Sequence, residues 1–229
     1  MRVLELFAGT SSIGREFRAH GHEVFTVEWN RKFKGIDLYA DIGELEADEI
    51  LRRFGRPDVV WASPDCSSYS VAALAHHRDG VKPKTGYALF CDRVNGHVVD
   101  LILELKPRFW FVENPRAMMR KMPFIERLCR EGGGRQYTVT YCQYGERRMK
   151  PTDIWTNHPN PRFKPPCRKG DKCHDSAPRG SKTGTQGIKG SADRAKIPVL
   201  LCRHIVDICE SPGEERREPS GRECANSPL

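Results

Sequence analysis

Short apolar runs alternate with stretches of helical spacing through the first 158 residues, and small-residue or Pro/Gly turns separate them. Residues 3–7 form a run interrupted only by Glu5, the pattern of a strand buried on both faces. The turn Ala8-Gly9-Thr10-Ser11-Ser12 ends it. A helix is expected over about 13–20, with Ile13 and Phe17 on one face and Gly21 as its stop. Residues 24–27 read as a second strand ending at Glu28-Trp29, and residues 40–42 close a short third segment. A helix over 46–54 and a strand over 58–62 follow, the latter broken by Ser63-Pro64. Residues 94–105 carry Val94, Val98, Leu101, Ile102 and Leu105 at helical spacing, and Pro107 ends that helix. Residues 108–112 and 137–141 read as strands, with a helix over 123–129 between them. This alternation predicts an α/β fold of Rossmann-like type, a mostly parallel sheet with helices on both faces. Ligands bind such sheets at the carboxyl ends of the strands. Gly9, Glu28, Asp41, Cys66 and Glu113 all stand at such ends.

The pattern divides the chain into four parts. Residues 1–158 form the α/β core, and residues 159–194 a small irregular insertion rich in Pro, Gly, Lys and Ser. Residues 195–209 regain helical spacing through Ile197, Leu200, Leu201, His204, Ile205 and Ile208 and are expected to pack back on the core. Residues 210–229 are rich in Pro, Glu, Arg and Ser and are expected to be disordered.

Charge sharpens this picture. The net charge of +8 is concentrated in residues 116–196, which carry 19 Lys/Arg against 7 Asp/Glu. Such a block suits a polyanion, above all nucleic acid. No apolar run approaches the roughly 20 residues that span a bilayer, and the chain enters an apolar strand at once. An intracellular location is therefore expected, and the nine cysteines, odd in number, are expected to be reduced thiols.

Four groups of residues carry candidate chemistry. The turn after the first strand, with Gly9 and Gly14, lets a helix N-terminus approach a polar ligand closely. Glu28 is placed to bond the hydroxyls of a ribose, Trp29 to stack on a purine, and Asp41 to accept from an exocyclic amine; together they describe an adenosine-shaped site. Cys66, just past a buried strand in a loop opened by Pro64, is placed as a nucleophile. Its thiolate would be the reactive form, and the neighbouring Asp65 opposes that form. Glu113, at the end of another apolar strand, could give a proton to a ring nitrogen.

Taken in order, these motifs resemble those of the DNA cytosine-C5 methyltransferases. Leu6-Phe7-Ala8-Gly9 is similar to that family's first motif, and Glu28-Trp29 and Asp41-Ile42 to its next cofactor positions. Pro64-Asp65-Cys66 resembles its Pro-Cys loop, Glu113-Asn114-Pro115 its Glu-Asn-Val motif, and the segment from Tyr144 to Lys150 its Arg-containing segment. Ala195-Lys196-Ile197-Pro198 resembles its final motif. Three departures stand out: Thr10-Ser11-Ser12 replaces a Gly-rich turn, Asp65 stands where Pro precedes the nucleophile, and the recognition segment is short, as in phage and prophage forms.

The resemblance implies S-adenosylmethionine as cofactor, held by Phe7, Ala8, Gly9, Thr10, Glu28, Trp29, Asp41, Ile42 and Pro64. It implies Cys66 as nucleophile, Glu113 at the cytosine ring and Arg148 at its carbonyl. Double-stranded DNA is the expected partner, with Ser70, Arg78, Lys82, Lys84, Lys150, Arg179, Lys182, Thr183 and Gln186 in contact with it. The expected enzyme is a monomer, with room for a partner in target recognition, in the cytoplasm of a bacterial host and associated with its nucleoid. RNA cytosine methylation and a catalytically weak DNA-binding protein are the alternatives. No metal site is expected, because the Cys-x5-Cys-His spacing of Cys167, Cys173 and His174, with Cys142 far upstream, is not that of a standard zinc knuckle.

Overall fold

The computed structural model describes residues 1–168, 170–175 and 190–211. Its elements in chain order are β1 (Arg2–Leu6), α1 (Ser12–Ala19), β2 (Glu23–Val27), α2 (Ala47–Arg53), β3 (Val59–Ala62), α3 (Leu74–His77), β4 (Arg78–Asp79), β5 (Lys82–Pro83), α4 (Gly86–Leu105), β6 (Phe109–Pro115), α5 (Pro123–Glu131), β7 (Arg135–Thr140), β8 (Pro151–Thr156), α6 (Ser191–Ala195) and α7 (Val199–Glu210). Six strands form one sheet in the order β2-β1-β3-β6-β8-β7. β2, β1, β3 and β6 are parallel, while β8 runs antiparallel to both β6 and β7.

The strands' alternation sorts the core into two faces. Leu4, Leu6, Val60, Ala62, Trp110 and Val112 pack on one side with residues of α2, α4 and α5. Val3, Val59, Trp61, Phe109 and Phe111 pack on the other with Ile13 and Phe17 of α1 and Leu201, Ile205 and Val206 of α7. The structure is thus α/β, with helices on both faces of a mostly parallel sheet. Glu5 is the polar break in β1, and it is used: its carboxylate accepts from the amides of Ile13 and Gly14, at 3.2 and 3.0 Å, at the start of α1. Burial pushes its carboxyl up to about 7, against the pull of those two bonds.

Three features differ from the sequence pattern. Helix α4 begins at Gly86 rather than near residue 94, capped by the Thr85 hydroxyl, which accepts from the Ala88 amide. Strand β8 has no apolar run to announce it; it opens on a proline and buries Thr152, Asp153 and Thr156. Asp153 is tolerated there because Arg120 donates to both of its oxygens and Thr138 donates to one. The segment from residue 70 to 85 folds into the short α3 and the β4–β5 hairpin.

Among the described residues, no helix is long and apolar enough to cross a membrane.

Candidate active site

The Cys66 loop leaves β3 at the carboxyl edge of the sheet. The Cys66 carbonyl accepts from the amides of Tyr69 and Ser70, so the chain turns tightly around it. Asp65 braces the turn: one oxygen accepts from the Ser67 amide, and the other from the Tyr87 hydroxyl of α4 at 2.9 Å. Beneath the loop, Tyr69 donates to Asp92 and accepts from Asn95. Arg78 binds both oxygens of Asp92, at 2.6 and 3.0 Å, donates to Ser68, and lies over the Tyr69 ring. The Cys66 loop is therefore fixed to α4 by a buried network.

Glu113 sits at the same edge, one strand over. It is buried, and Tyr141 donates to it at 3.0 Å. The Asn114 side-chain amide donates to the Pro64 carbonyl at 2.9 Å, which ties the end of β6 to the Cys66 loop. Lys150 stands close to both: its ammonium lies 4.4 Å from the centre of the Tyr141 ring and donates to the Arg194 carbonyl. Arg148 is buried, pairs with Glu146 and donates to that same carbonyl. Arg194, the last residue of the insertion, is thereby joined to two basic groups of the site.

Burial pushes the Cys66 thiol up, and the carboxylates of Asp65 and Glu113 push it further, while Lys150 opposes them. Burial in turn lowers Lys150, against the fields of Glu113 and Cys66. These surroundings favour the thiol over the thiolate, and Cys66 is partly exposed.

A cavity of about 520 Å³ opens beside the loop. Phe7, Trp29, Asp41 and Ile42, four of the residues expected at a cofactor, line it, together with Asp65. Its other wall is α4, through Tyr87, Phe90, Cys91, Val94 and Asn95. The sequence reading missed that wall, although the spacing i, i+3, i+4, i+7, i+8 marks one helical face. Ala8, Gly9, Thr10, Glu28 and Pro64 do not line the cavity. Glu28 braces the turn instead, accepting from the amides of Gly9 and Asn30, both at 2.9 Å. Phe7, Gly9 and Ser11 all have positive φ, so the loop backbone curls tightly, as its small residues predict.

The residues expected on DNA separate. Lys82 and Lys84 are exposed on the β4–β5 side of the loop, and Ser70 is half-buried near Cys66. Arg78 is buried with its guanidinium fully engaged, which corrects the expectation of a phosphate contact: its charge holds the Cys66 loop. Lys150 lies within the fields of Glu113 and Cys66. Arg179, Lys182, Thr183 and Gln186 lie outside the described residues. Cys142, Cys167, Cys173 and His174, which the spacing kept apart, come together with all four ligand atoms within 4.8 Å.

The strand order, the single reversed strand β8 and the cavity at the strand ends define a Rossmann-like α/β fold. In sequence, the chain is similar to a Frog virus 3 (isolate Goorha) protein designated a probable DNA (cytosine-5)-methyltransferase: 26% identity over 235 residues, covering 91% of this chain and 100% of that protein. This bears out the resemblance drawn from the motifs. No protein-family model matches the chain. In structure, it is similar to an E. coli prophage-encoded protein designated a DNA modification methyltransferase, with TM-score 0.52 and 16% identity over 68% of this chain and 46% of that one. It is also similar to S. pombe Dnmt2 methyltransferase, with TM-score 0.49 and 12% identity over 68% of this chain and 48% of that one. The chain spans less than half of either solved structure.

Proposed function

We propose that the protein transfers a methyl group from S-adenosylmethionine to carbon 5 of cytosine in double-stranded DNA, through a covalent adduct on Cys66. The observation that carries this reading is a shared wall: Asp65, next to Cys66, lines the same cavity as Phe7, Trp29, Asp41 and Ile42. A donor held there would lie beside the nucleophile.

The residues present fit the cofactor. The cavity lies within the roughly 300–1,000 Å³ of small-molecule sites and is walled by aromatic and aliphatic groups with few polar ones. Trp29, 67% exposed at its rim, is free to stack on a purine. Asp41 spends one oxygen on the Gly43 amide and keeps the other for an exocyclic amine. When bound, the cofactor supplies an electrophilic methyl group.

The chain's own residues do the rest. The target base leaves the duplex and enters the pocket. Cys66 loses its proton to solvent, and its thiolate adds to carbon 6 of the ring. Glu113, as the acid, gives a proton to N3, which makes carbon 5 nucleophilic. Arg148 would bind the cytosine carbonyl. After methylation, a base takes the carbon-5 proton, elimination expels the Cys66 thiolate, and N3 gives its proton back to Glu113. Residues 159–194 would supply target contacts, and a DNA substrate would place the enzyme in the host cytoplasm at the nucleoid.

Incubation with S-adenosylmethionine and duplex DNA containing 5-fluorocytosine tests this. A covalent adduct is expected, lost in Cys66→Ala. Parallel arms with tRNA and unmodified duplex assign the substrate; adduct formation on tRNA alone moves the reading to RNA. Binding of DNA with neither adduct nor methyl transfer overturns catalysis.

A further inference from the structure

The cluster of three cysteines and a histidine lies outside the chemistry proposed above. Cys142 follows β7, directly after Tyr141, which holds Glu113. Cys167, Cys173 and His174 lie on the segment that leaves β8 and leads into residues 176–189. The Cys142 and Cys167 sulfurs are 3.0 Å apart, and those of Cys142 and Cys173 3.7 Å apart. The His174 Nδ1 lies 3.6 Å from the Cys167 sulfur and 3.5 Å from that of Cys173.

A tetrahedral zinc ion with Zn–S of about 2.3 Å and Zn–N of about 2.0–2.1 Å sets its sulfurs about 3.8 Å apart and each sulfur about 3.5 Å from the nitrogen. Three of the four separations match these values. The fourth is closer than two unbonded sulfurs rest and opens on coordination. Four ligand atoms of soft and borderline character, with Cys142 and Cys167 buried, make a closed site rather than one with a position left for substrate. The loop is also built to return: the Asp171 amide donates to the Arg168 carbonyl, the Arg168 amide donates to the Asp171 carboxylate, and Gly170 adopts φ 97°. The Cys167 amide donates to the Thr140 hydroxyl at the end of β7, which fixes that ligand's backbone.

We infer that Cys142, Cys167, Cys173 and His174 bind one structural zinc ion, which clamps the base of the basic insertion to the end of β7. Binding releases the thiol protons to solvent and leaves a thiolate-bound cation. Just beyond the ligands, the Asp175 amide donates to the Arg147 carbonyl and its carboxylate pairs with the Arg147 guanidinium at 2.6 Å. The clamp therefore also sets the segment carrying Arg148. This gives the unusual spacing its reason: the ligands come from two segments that only the β7–β8 pairing brings together.

The test is metal analysis of the full chain purified without added metal, followed by titration of chelator-stripped protein with zinc and cobalt. About one zinc per chain is expected, and cobalt should give thiolate charge-transfer bands with tetrahedral d–d bands. Cys173→Ser and His174→Ala change the two more accessible ligands. Each is expected to weaken zinc at least roughly tenfold while circular dichroism shows the fold retained. A folded wild type that takes up no zinc overturns the inference. So does metal content unchanged in both variants, or a Cys142–Cys167 disulfide in protein kept under reductant. None of these readouts depends on methyl transfer.

Discussion

Asp65 holds the Cys66 turn through both of its oxygens, on the Ser67 amide and the Tyr87 hydroxyl, yet its charge disfavours the thiolate next to it. Asp65→Asn keeps an acceptor for Ser67 and removes the charge. Its Cys66 should therefore alkylate at lower pH than in the parent protein, read as the pH–rate profile of iodoacetamide labelling by mass spectrometry. An unmoved profile would leave burial and the Glu113 carboxylate as the causes. Glu5 gives a second titration. Its carboxyl stands at about 7 in the folded chain against an ordinary value of 4.5. Below 4.5 both states hold the proton and stability is unaffected; as pH rises to about 7 the unfolded chain releases it more readily, and the folded state loses roughly 3 kcal/mol. Glu5→Gln should flatten urea midpoints across that window, whatever its constant offset. The site residues legible in the sequence were those whose type is itself chemical, Cys66 and Glu113 at strand ends. Arg78 misled because a loop arginine reads as exposed, and only packing reveals Asp92 beneath it.

Strands β1, β3 and β6 were legible because they lie in the middle of the parallel sheet and are apolar on both faces. β8 was hidden for the converse reason: two of its buried positions are threonines and one is an aspartate, stabilised by partners distant in sequence. Asp153 is fully buried against Arg120, itself only 9% exposed. Burial raises the Asp153 carboxyl, and Arg120 pulls it back. Asp153→Ala would strand the guanidinium and should cost about 3–5 kcal/mol in denaturant unfolding. Arg120→Leu combined with Asp153→Leu should recover much of that loss, because both desolvation costs disappear together. If the double variant is as unstable as the single one, strand packing rather than the ion pair carries the effect. The start of α4 was missed on similar grounds: Tyr87, Leu89 and Phe90 are exposed, so the first turns present aromatic residues to the cavity and its rim instead of a buried stripe.

Across the whole molecule, charge is divided as the sequence divides it: the sheet and the cavity beside the Cys66 loop belong mainly to the near-neutral first half, and the excess of basic residues to 116–196. The loop over the site adds two exposed lysines with different surroundings. Lys84 donates to the Ala75 carbonyl and so also shapes the loop, whereas Lys82 stands exposed on β5. If the loop closes over duplex DNA, Lys82→Ala should weaken binding evenly across sequences and reduce the slope of log affinity against log salt by about 0.9. Thermal stability should stay unchanged, since nothing in the fold rests on that ammonium. Arg78→Ala should do the reverse. It removes the buried partner of Asp92 and the brace of Ser68 and Tyr69, so it should lower stability and Cys66 reactivity while leaving the salt slope of residual DNA binding intact. Fluorescence anisotropy with labelled duplex at several salt concentrations, alongside thermal melts, separates the two. Equal salt slopes for Lys82→Ala and the parent protein would mean that DNA reaches the site without touching this loop. The phosphate contacts would then have to come from the basic residues between 116 and 196.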